Sequence, residues 1–270
     1  PLERLEPLAH DRRDDALLVD RRVENLRTVA ADRRERAREG RRLDDIREAS
    51  DGKGQNARVV GIFDDLSRSV APEAQFSQQD ADRTREHLVA LGWPSRNIIA
   101  LTGKLAGRAG ISKYLERWLP NNATENSRIF FYFAGNGAAD PETRRAYLLP
   151  WDGDADLLET TGYPLSRLYQ KLNALNAKEA LVVLDAGFTG AGPRSASPKN
   201  ARTPNEKLDM GTRDMGGVVA LLAASDGETV GVLEGKRHGA LTHSFLKGLN
   251  DEALGADGIV TIKTLFRYVR

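Results

Sequence analysis

Two apolar runs that stop abruptly in turns of small residues constrain this chain more than any other feature. Ile129-Phe130-Phe131-Tyr132-Phe133 leads into Ala134-Gly135-Asn136-Gly137, and Leu181-Val182-Val183-Leu184 leads into Asp185-Ala186-Gly187-Phe188-Thr189-Gly190. Runs of this kind, without polar alternation, suit strands covered on both faces, as in a parallel sheet between helix layers. In such sheets the loops at the carboxyl ends of the strands open on a common crevice, where ligands and chemistry collect. Two strand ends and two loops therefore predict one cleft.

The rest of the chain supplies the other layers. The spacing predicts strands at 58–63, 97–101, 128–133, 180–184 and 217–224, with a short extended piece at 147–150. Helices are expected over 80–91, 110–119, 163–175, 239–249 and from 259 onward. Strands alternating with helices of about ten residues predict an α/β fold, a mostly parallel sheet in a three-layer α/β/α sandwich. The segment 191–216 is rich in Gly, Pro, Ser, Asn, Lys and Arg and reads as a long loop.

Residues 1–55 have a different texture and are read as a charged helical N-terminal extension and linker, ahead of a domain over 56–270. Leu18, Val19, Val23, Leu26, Val29 and Ala30 make one narrow helical stripe, which fades into nearly continuous charge between Arg33 and Arg42. One or two helices that pack on the domain or on a partner fit this pattern, as does a solvated helical linker held by local ion pairs. Ser50-Asp51-Gly52-Lys53-Gly54-Gln55 is the connection. A start at Pro1 without methionine points to a fragment of a longer protein.

Charge excludes some partners. Forty Lys and Arg against 39 Asp and Glu leave no global field to attract nucleic acid or an anionic membrane. No apolar stretch approaches the ~20 residues of a membrane span. The absence of cysteine excludes disulfides and thiolate metal sites. Of the compartments left open, the cytoplasm is favoured.

The two turns and their spacing resemble those of the caspase-like peptidases (peptidase C14, clan CD), metacaspases included. In that family the first strand ends in Ser-Gly-His-Gly and the second in Asp-Ala-Cys-Phe-Ser-Gly, with the His about 50 residues before the Cys. Here the matching positions are Asn136 and Gly187, 51 residues apart (136 to 187). His238-Gly239-Ala240-Leu241-Thr242-His243 resembles the family's His-Gly-Leu-Phe-Thr entrance to a later helix, and the likeness spans residues 58–270. It implies a caspase-like domain in which both catalytic residues are replaced. A caspase-type reaction needs a thiolate nucleophile and an imidazole to handle its proton. An amide does not titrate near neutrality, glycine has no side chain, and no thiol exists elsewhere in the chain.

The resemblance also implies a binding pocket. Asp185 holds the place that in metacaspase-type relatives helps bind a basic substrate side chain, and Asp226 the second acidic wall; a carboxylate pair can hold an arginine through paired hydrogen bonds. The alternative for Asp185 is a cap on the turn after its strand. Asn136, between glycines, reads as a turn residue that tolerates left-handed dihedrals. His238 and His243 invite comparison with a substitute base acting with Thr189. Asp152, Asp154 and Asp156 alternate like the start of a calcium loop, but Leu157 and Tyr163 stand where an EF-hand needs Gly and Glu. No phosphate-binding glycine motif follows the first strand, and no cofactor or metal is implied. In the loop at 191–216, Arg194, Lys199, Arg202, Lys207 and Arg213 are candidates for proteolytic cleavage, or the loop is simply mobile.

The function these residues point to is an inactive caspase-like homologue acting as a regulatory, scaffolding or peptide-binding module. Its implied partners are a peptide or protein with basic side chains, a caspase-like homologue, or a larger assembly reached through the N-terminal helices. The alternative is a peptidase or other hydrolase using non-standard residues in the same cleft.

Overall fold

The computed structural model describes residues 58–64, 74, 76–197, 207–224, 228–253 and 260–269. The N-terminal extension expected over 1–55 lies outside them.

Five strands make one sheet: β1 (Arg58–Asp64), β2 (Ile98–Leu101), β3 (Arg128–Ala134), β7 (Glu179–Asp185) and β8 (Val218–Leu222). Their spatial order is β2-β1-β3-β7-β8, and every pairing is parallel. The two apolar runs are thus central neighbours, in register from Arg128 opposite Glu179 to Ala134 opposite Asp185.

Side chains alternate across a strand, so β3 and β7 serve two cores. Ile129, Phe131, Phe133, Val182 and Leu184 face one helix layer, whose inner residues include Ile111, Leu115, Leu119, Leu165, Leu168 and Leu172. That layer holds α2 (Arg108–Lys113), which runs through a π turn at Tyr114–Trp118 into α3 (Leu119–Asn122), and α5 (Leu165–Asn173). Glu116 in the π turn ties it to α5, accepting from Arg167 Nε (2.8 Å), Arg167 Nη2 (2.7 Å) and Tyr163 OH (2.9 Å). The Arg167 hydrogen bonds, outweighing partial burial, hold the Glu116 carboxyl below its ordinary value. Phe130, Tyr132, Ala134, Val183 and Leu221 face the opposite layer of α1 (Ser77–Ala90), α6 (Ala240–Lys247) and α7 (Ile262–Val269), which contribute Ala81, Leu88, Leu241, Phe245 and Leu265. The expected α/β/α sandwich is the observed fold.

Small pairings build the rim of the cleft. β4 (Gly137–Ala139), β5 (Ala146–Leu148) and β6 (Tyr163–Pro164) form an antiparallel sheet, with α4 (Leu158–Thr161) between the last two. β9 (Val232–Leu233) pairs with β10 (His238–Gly239) just before α6.

Several boundaries differ from expectation: α1 begins at Ser77 rather than 80, and α7 at Ile262 rather than 259. The helix expected over 163–175 begins at Leu165, because Tyr163 pairs with Leu148 as strand and Pro164 serves as the N-cap. The helical stretch expected over 110–119 starts at Arg108 and continues to Asn122. Arg108 N donates to Asp152 Oδ1 (2.7 Å), which supplies a partner for one of the orphan donors at that helix start.

Candidate functional site

The register of β3 and β7 brings the two turns into contact. Gly135 N donates to Asp185 O (3.3 Å), and a Cβ on Gly137 would strike the carbonyl oxygen of Gly187. Gly137 is therefore glycine because another backbone lies against it. Asn136 is almost fully buried, its carbonyl accepting from Leu149 N (2.9 Å), and it does not adopt the left-handed conformation expected for it.

What fills the cleft comes from the chain itself. After Gly187 the backbone turns through Gly190 (φ 76°) and Gly192 (φ 85°), left-handed conformations that suit glycine. It then returns so that Ser195 bridges to Gly137 in parallel fashion and Ala196 N donates to Gly137 O (2.8 Å). Gly190 N donates to Ser195 Oγ (2.7 Å) and closes this loop. Arg194 is placed at the centre. Its carbonyl oxygen accepts two backbone N–H groups, from Gly187 (2.7 Å) and Gly137 (3.2 Å). Its φ of 147° is rare for a residue with a side chain, a strain of order 1–3 kcal/mol that the surrounding contacts must hold.

The guanidinium of Arg194 is 1% exposed and lies between two carboxylates that are themselves fully buried, Asp80 of α1 and Asp185 at the end of β7. Nη1 meets Asp185 Oδ1 at 3.0 Å and also donates to Asp185 O (3.3 Å), while Nη2 pairs with Asp80 Oδ2. Three of the four carboxylate oxygens also accept hydrogen bonds, while Asp185 Oδ1 has the ion pair alone. Asp80 Oδ2 accepts from Gly239 N (2.9 Å), and its Oδ1 lies 2.6 Å from His238 Nδ1. Asp185 Oδ2 accepts from Thr242 N (2.9 Å) and Thr242 Oγ1 (2.5 Å), and the Thr242 hydroxyl in turn lies 2.6 Å from Tyr132 OH. With Thr242 Oγ1 donating to the carboxylate, the Tyr132 hydroxyl is the donor to Thr242.

Burial and pairing compete in this cluster. Burial raises the Asp80 pKa, against Arg194, whose charge and hydrogen bond pull it down. Burial also opposes the Arg194 charge, but the Asp185 and Asp80 carboxylates outweigh it, and its pKa is raised. A methyl has no room here: a Cβ on Gly239 would collide with the Asp185 carboxylate and Arg194 Nη1.

Thr242→Val tests the hydroxyl link. It keeps the shape but leaves Tyr132 OH and Asp185 Oδ2 each one partner short, at an expected cost of about 2 kcal/mol. A lowered urea midpoint reads this out; an unchanged midpoint would mean the hydroxyl chain contributes nothing.

Several expectations from sequence are resettled by these contacts. Asp185 converges with the Asp80 carboxylate, and the space between them holds Arg194. Asp226 lies outside the described residues. Arg194, counted among cleavage candidates on a mobile loop, is buried; Lys207 and Arg213 are exposed, and Lys199 and Arg202 lie outside the described residues. His238 borders the cleft through Asp80, its ring 6.0 Å from that of His243, whereas the Thr189 hydroxyl lies against the backbone of Ala191. Asp152 and Asp154 are engaged by backbone N–H groups, of Arg108 (2.7 Å) and Asp156 (2.9 Å). At the opposite, amino end of the sheet a cavity of about 440 Å³ opens beside Arg128, Glu179 and Val218. Among the described residues no helix is long and apolar enough to cross a membrane.

No family model matches the sequence, and no curated protein does. Among solved structures, the crystal structure of caspase-1 from Spodoptera frugiperda superposes with a TM-score of 0.51 at 12% identity, covering 80% of this chain and 75% of that one. The fold is therefore caspase-like, an architecture shared at an identity too low to carry activity with it.

Proposed function

We propose that this chain is a caspase-fold domain that does not hydrolyse peptides and serves as a regulatory or scaffolding module, holding a peptide in the cleft between β3 and β7. The observation that carries this reading is the pair Asn136 and Gly187 at the two touching strand ends, in a chain with no cysteine. The resemblance puts the base and the nucleophile at these positions, and neither residue can do that chemistry. The donors remain: the N–H groups of Gly187 and Gly137 converge on one carbonyl oxygen, the arrangement that stabilises a developing oxyanion in acyl transfer and that holds an unreacted peptide carbonyl equally well.

The Asp80–His238 pair favours a second reading, a hydrolase with an unconventional base. Carboxylate contact at Nδ1 fixes the tautomer and leaves Nε2 to accept a proton, and the His238 side chain is 20% exposed.

The purified protein, incubated with peptides bearing Arg, Lys or Asp before the test bond, is expected to give no turnover. The double substitution Asn136→His, Gly187→Cys is expected to stay silent as well. A Cβ at 187 would lie 3.1 Å from Val230 Cγ2, 3.2 Å from Ser195 Cβ and 3.4 Å from Arg194 O, so the new thiol is covered. Turnover by the natural protein that survives repurification and is lost in His238→Ala would establish the second reading in place of the first.

A further inference from the structure

We infer that the cavity at the amino end of the sheet is a docking site for this chain's own N-terminal segment, with the apolar stripe of residues 18–30 seated against β3, β7 and β8. This goes beyond the proposed function, which concerns the opposite end of the same strands.

The cavity forms where the sheet is left half covered. Phe130, Leu181 and Val219 lie side by side on three adjacent strands, Phe130 opposite Leu181 and Leu181 opposite Val219. Phe130 is buried, but Leu181 and Val219 are only half-buried, although Leu181 belongs to an interior strand of the sheet. Along β7, burial becomes complete only from Val182 onward. Trp93, edge-on to Phe130 at 6.4 Å between ring centroids, and Ile262 wall the space on the helix side. Its volume of about 440 Å³ is that of a binding site and far exceeds the voids that packed interiors leave. In a parallel sheet such an apolar row is normally covered.

The point where the chain enters the domain identifies the occupant. Residues 1–57 precede Arg58, the first residue of β1, and Arg58 pairs with Arg128, which lines the cavity. Parallel strands all start at one end, so the preceding chain arrives one strand spacing, about 5 Å, from the cavity wall. Ala30 lies 28 residues before Arg58 (30 to 58). A coil of that length spans roughly 30 Å, which brings the stripe to the cavity at an effective concentration on the order of mM.

The chemistry of the two surfaces also matches. Leu18, Val19, Val23, Leu26, Val29 and Ala30, read from sequence as one helical face, are the apolar side chains available to meet Leu181 and Val219, and an amphipathic helix laid in an apolar groove is a general mode of recognition. Arg22 stands on that same face, four residues from both Leu18 and Leu26. In the cavity wall, Glu179 is half-buried, and burial raises its pKa against the pull of Arg128. Arg128 Nε meets Glu179 Oε2 at 3.1 Å, which leaves Oε1 to receive Arg22. A second cation beside a half-buried carboxylate favours its charged form.

A chain without cysteine allows a cross-linking test free of background. Leu26→Cys is combined, in the full chain, with Gly217→Cys in the cavity wall, where a Cβ meets nothing within 4 Å, or with Leu105→Cys, which is 66% exposed and follows β2 at the carboxyl end of the sheet. Under mild oxidation of dilute protein, the 26–217 pair is expected to close an intramolecular disulfide at least about tenfold faster than the 26–105 pair, read from gel mobility without reductant. Leu18→Asp with Val23→Asp is expected to abolish that difference, and Arg22→Glu to reduce it about threefold. A second measurement needs no cysteine. In the natural chain the backbone amides of residues 18–30 are expected to exchange hydrogen at least about tenfold more slowly than in the Leu18→Asp, Val23→Asp variant. Equal cross-linking rates for the two pairs, equal exchange in the two proteins, or cross-links that form only between molecules, the sign of a second copy on the cavity, would overturn the inference. A difference that Arg22→Glu leaves unchanged would overturn the pairing with Glu179.

Discussion

Arg194→Ala is expected to destabilise the domain by about 3–5 kcal/mol and to lower its melting temperature by roughly 10–15 °C. The cost comes from what stays behind. Asp80 and Asp185 are each 0% exposed, and without the guanidinium they face each other with no cation between them. Double-mutant analysis isolates this cause: Asp80→Asn in the Arg194→Ala background should recover part of the loss, while Asp80→Asn alone destabilises. Additive losses would show that the arginine acts by packing alone.

The pH dependence gives a second signature of the same substitution. Asp80 already has its pKa raised by burial in the natural protein. A carboxyl with a raised folded pKa binds more protons folded than unfolded, so its contribution favours folding at low pH and declines as pH rises from the unfolded value through the folded one. Removing Arg194 deletes the influence that lowers this pKa and moves the upper edge of that window toward neutrality. Arg194→Ala should therefore lose more stability than the natural protein between mildly acidic and neutral pH. A constant difference across that range would place the uncompensated charge elsewhere.

Gly137→Ala carries the next largest expected effect, about 3 kcal/mol, the upper end of what overpacking usually costs. Its methyl would strike the Gly187 carbonyl oxygen and lie 2.6 Å from two ring carbons of Phe188, which is buried. Backbone cannot swing aside as a side chain can. Separating the two turns would also part the N–H groups that share the Arg194 carbonyl. Gly217→Ala is the control, because a Cβ there meets nothing within 4 Å, and it should stay within about 0.5 kcal/mol of the natural protein. An equally small change at 137 would mean that the strand ends do not touch.

The sheet was legible because its information is local. A run such as Ile129 to Phe133 can be buried on both faces only as a central strand, and its alternating residues then divide between the two helix layers. The spacing of Asn136 and Gly187 fixed the cleft for the same reason, since each turn directly follows its strand. Boundaries were less readable where tertiary pairing overrides propensity, as when Tyr163 joins β5 before α5 begins. Arg194 was misjudged because an arginine amid Gly, Pro and Ser has the local texture of a solvated loop, while the carboxylates that bury it come from α1 and β7. A signal was nonetheless present. Asp80 at a helix start and Asp185 at the end of an apolar strand are both placed for burial, two such acids require a cation, and Gly190 and Gly192 give the intervening chain the means to fold back toward Asp185.

The sequence distances spanned by Asp80 bear on the order of events during folding. Its partners lie 114 residues away at Arg194, 158 at His238 and 159 at Gly239. Contacts that close such long loops come at the greatest chain-entropy cost and form after the local helix and strand pairs. The charge cluster is therefore expected to close late, after the strand pairs it joins. Interactions missing from the transition state slow unfolding without hastening folding. Arg194→Ala is therefore expected to speed unfolding more than it slows folding, read from the two arms of a denaturant-dependent rate plot.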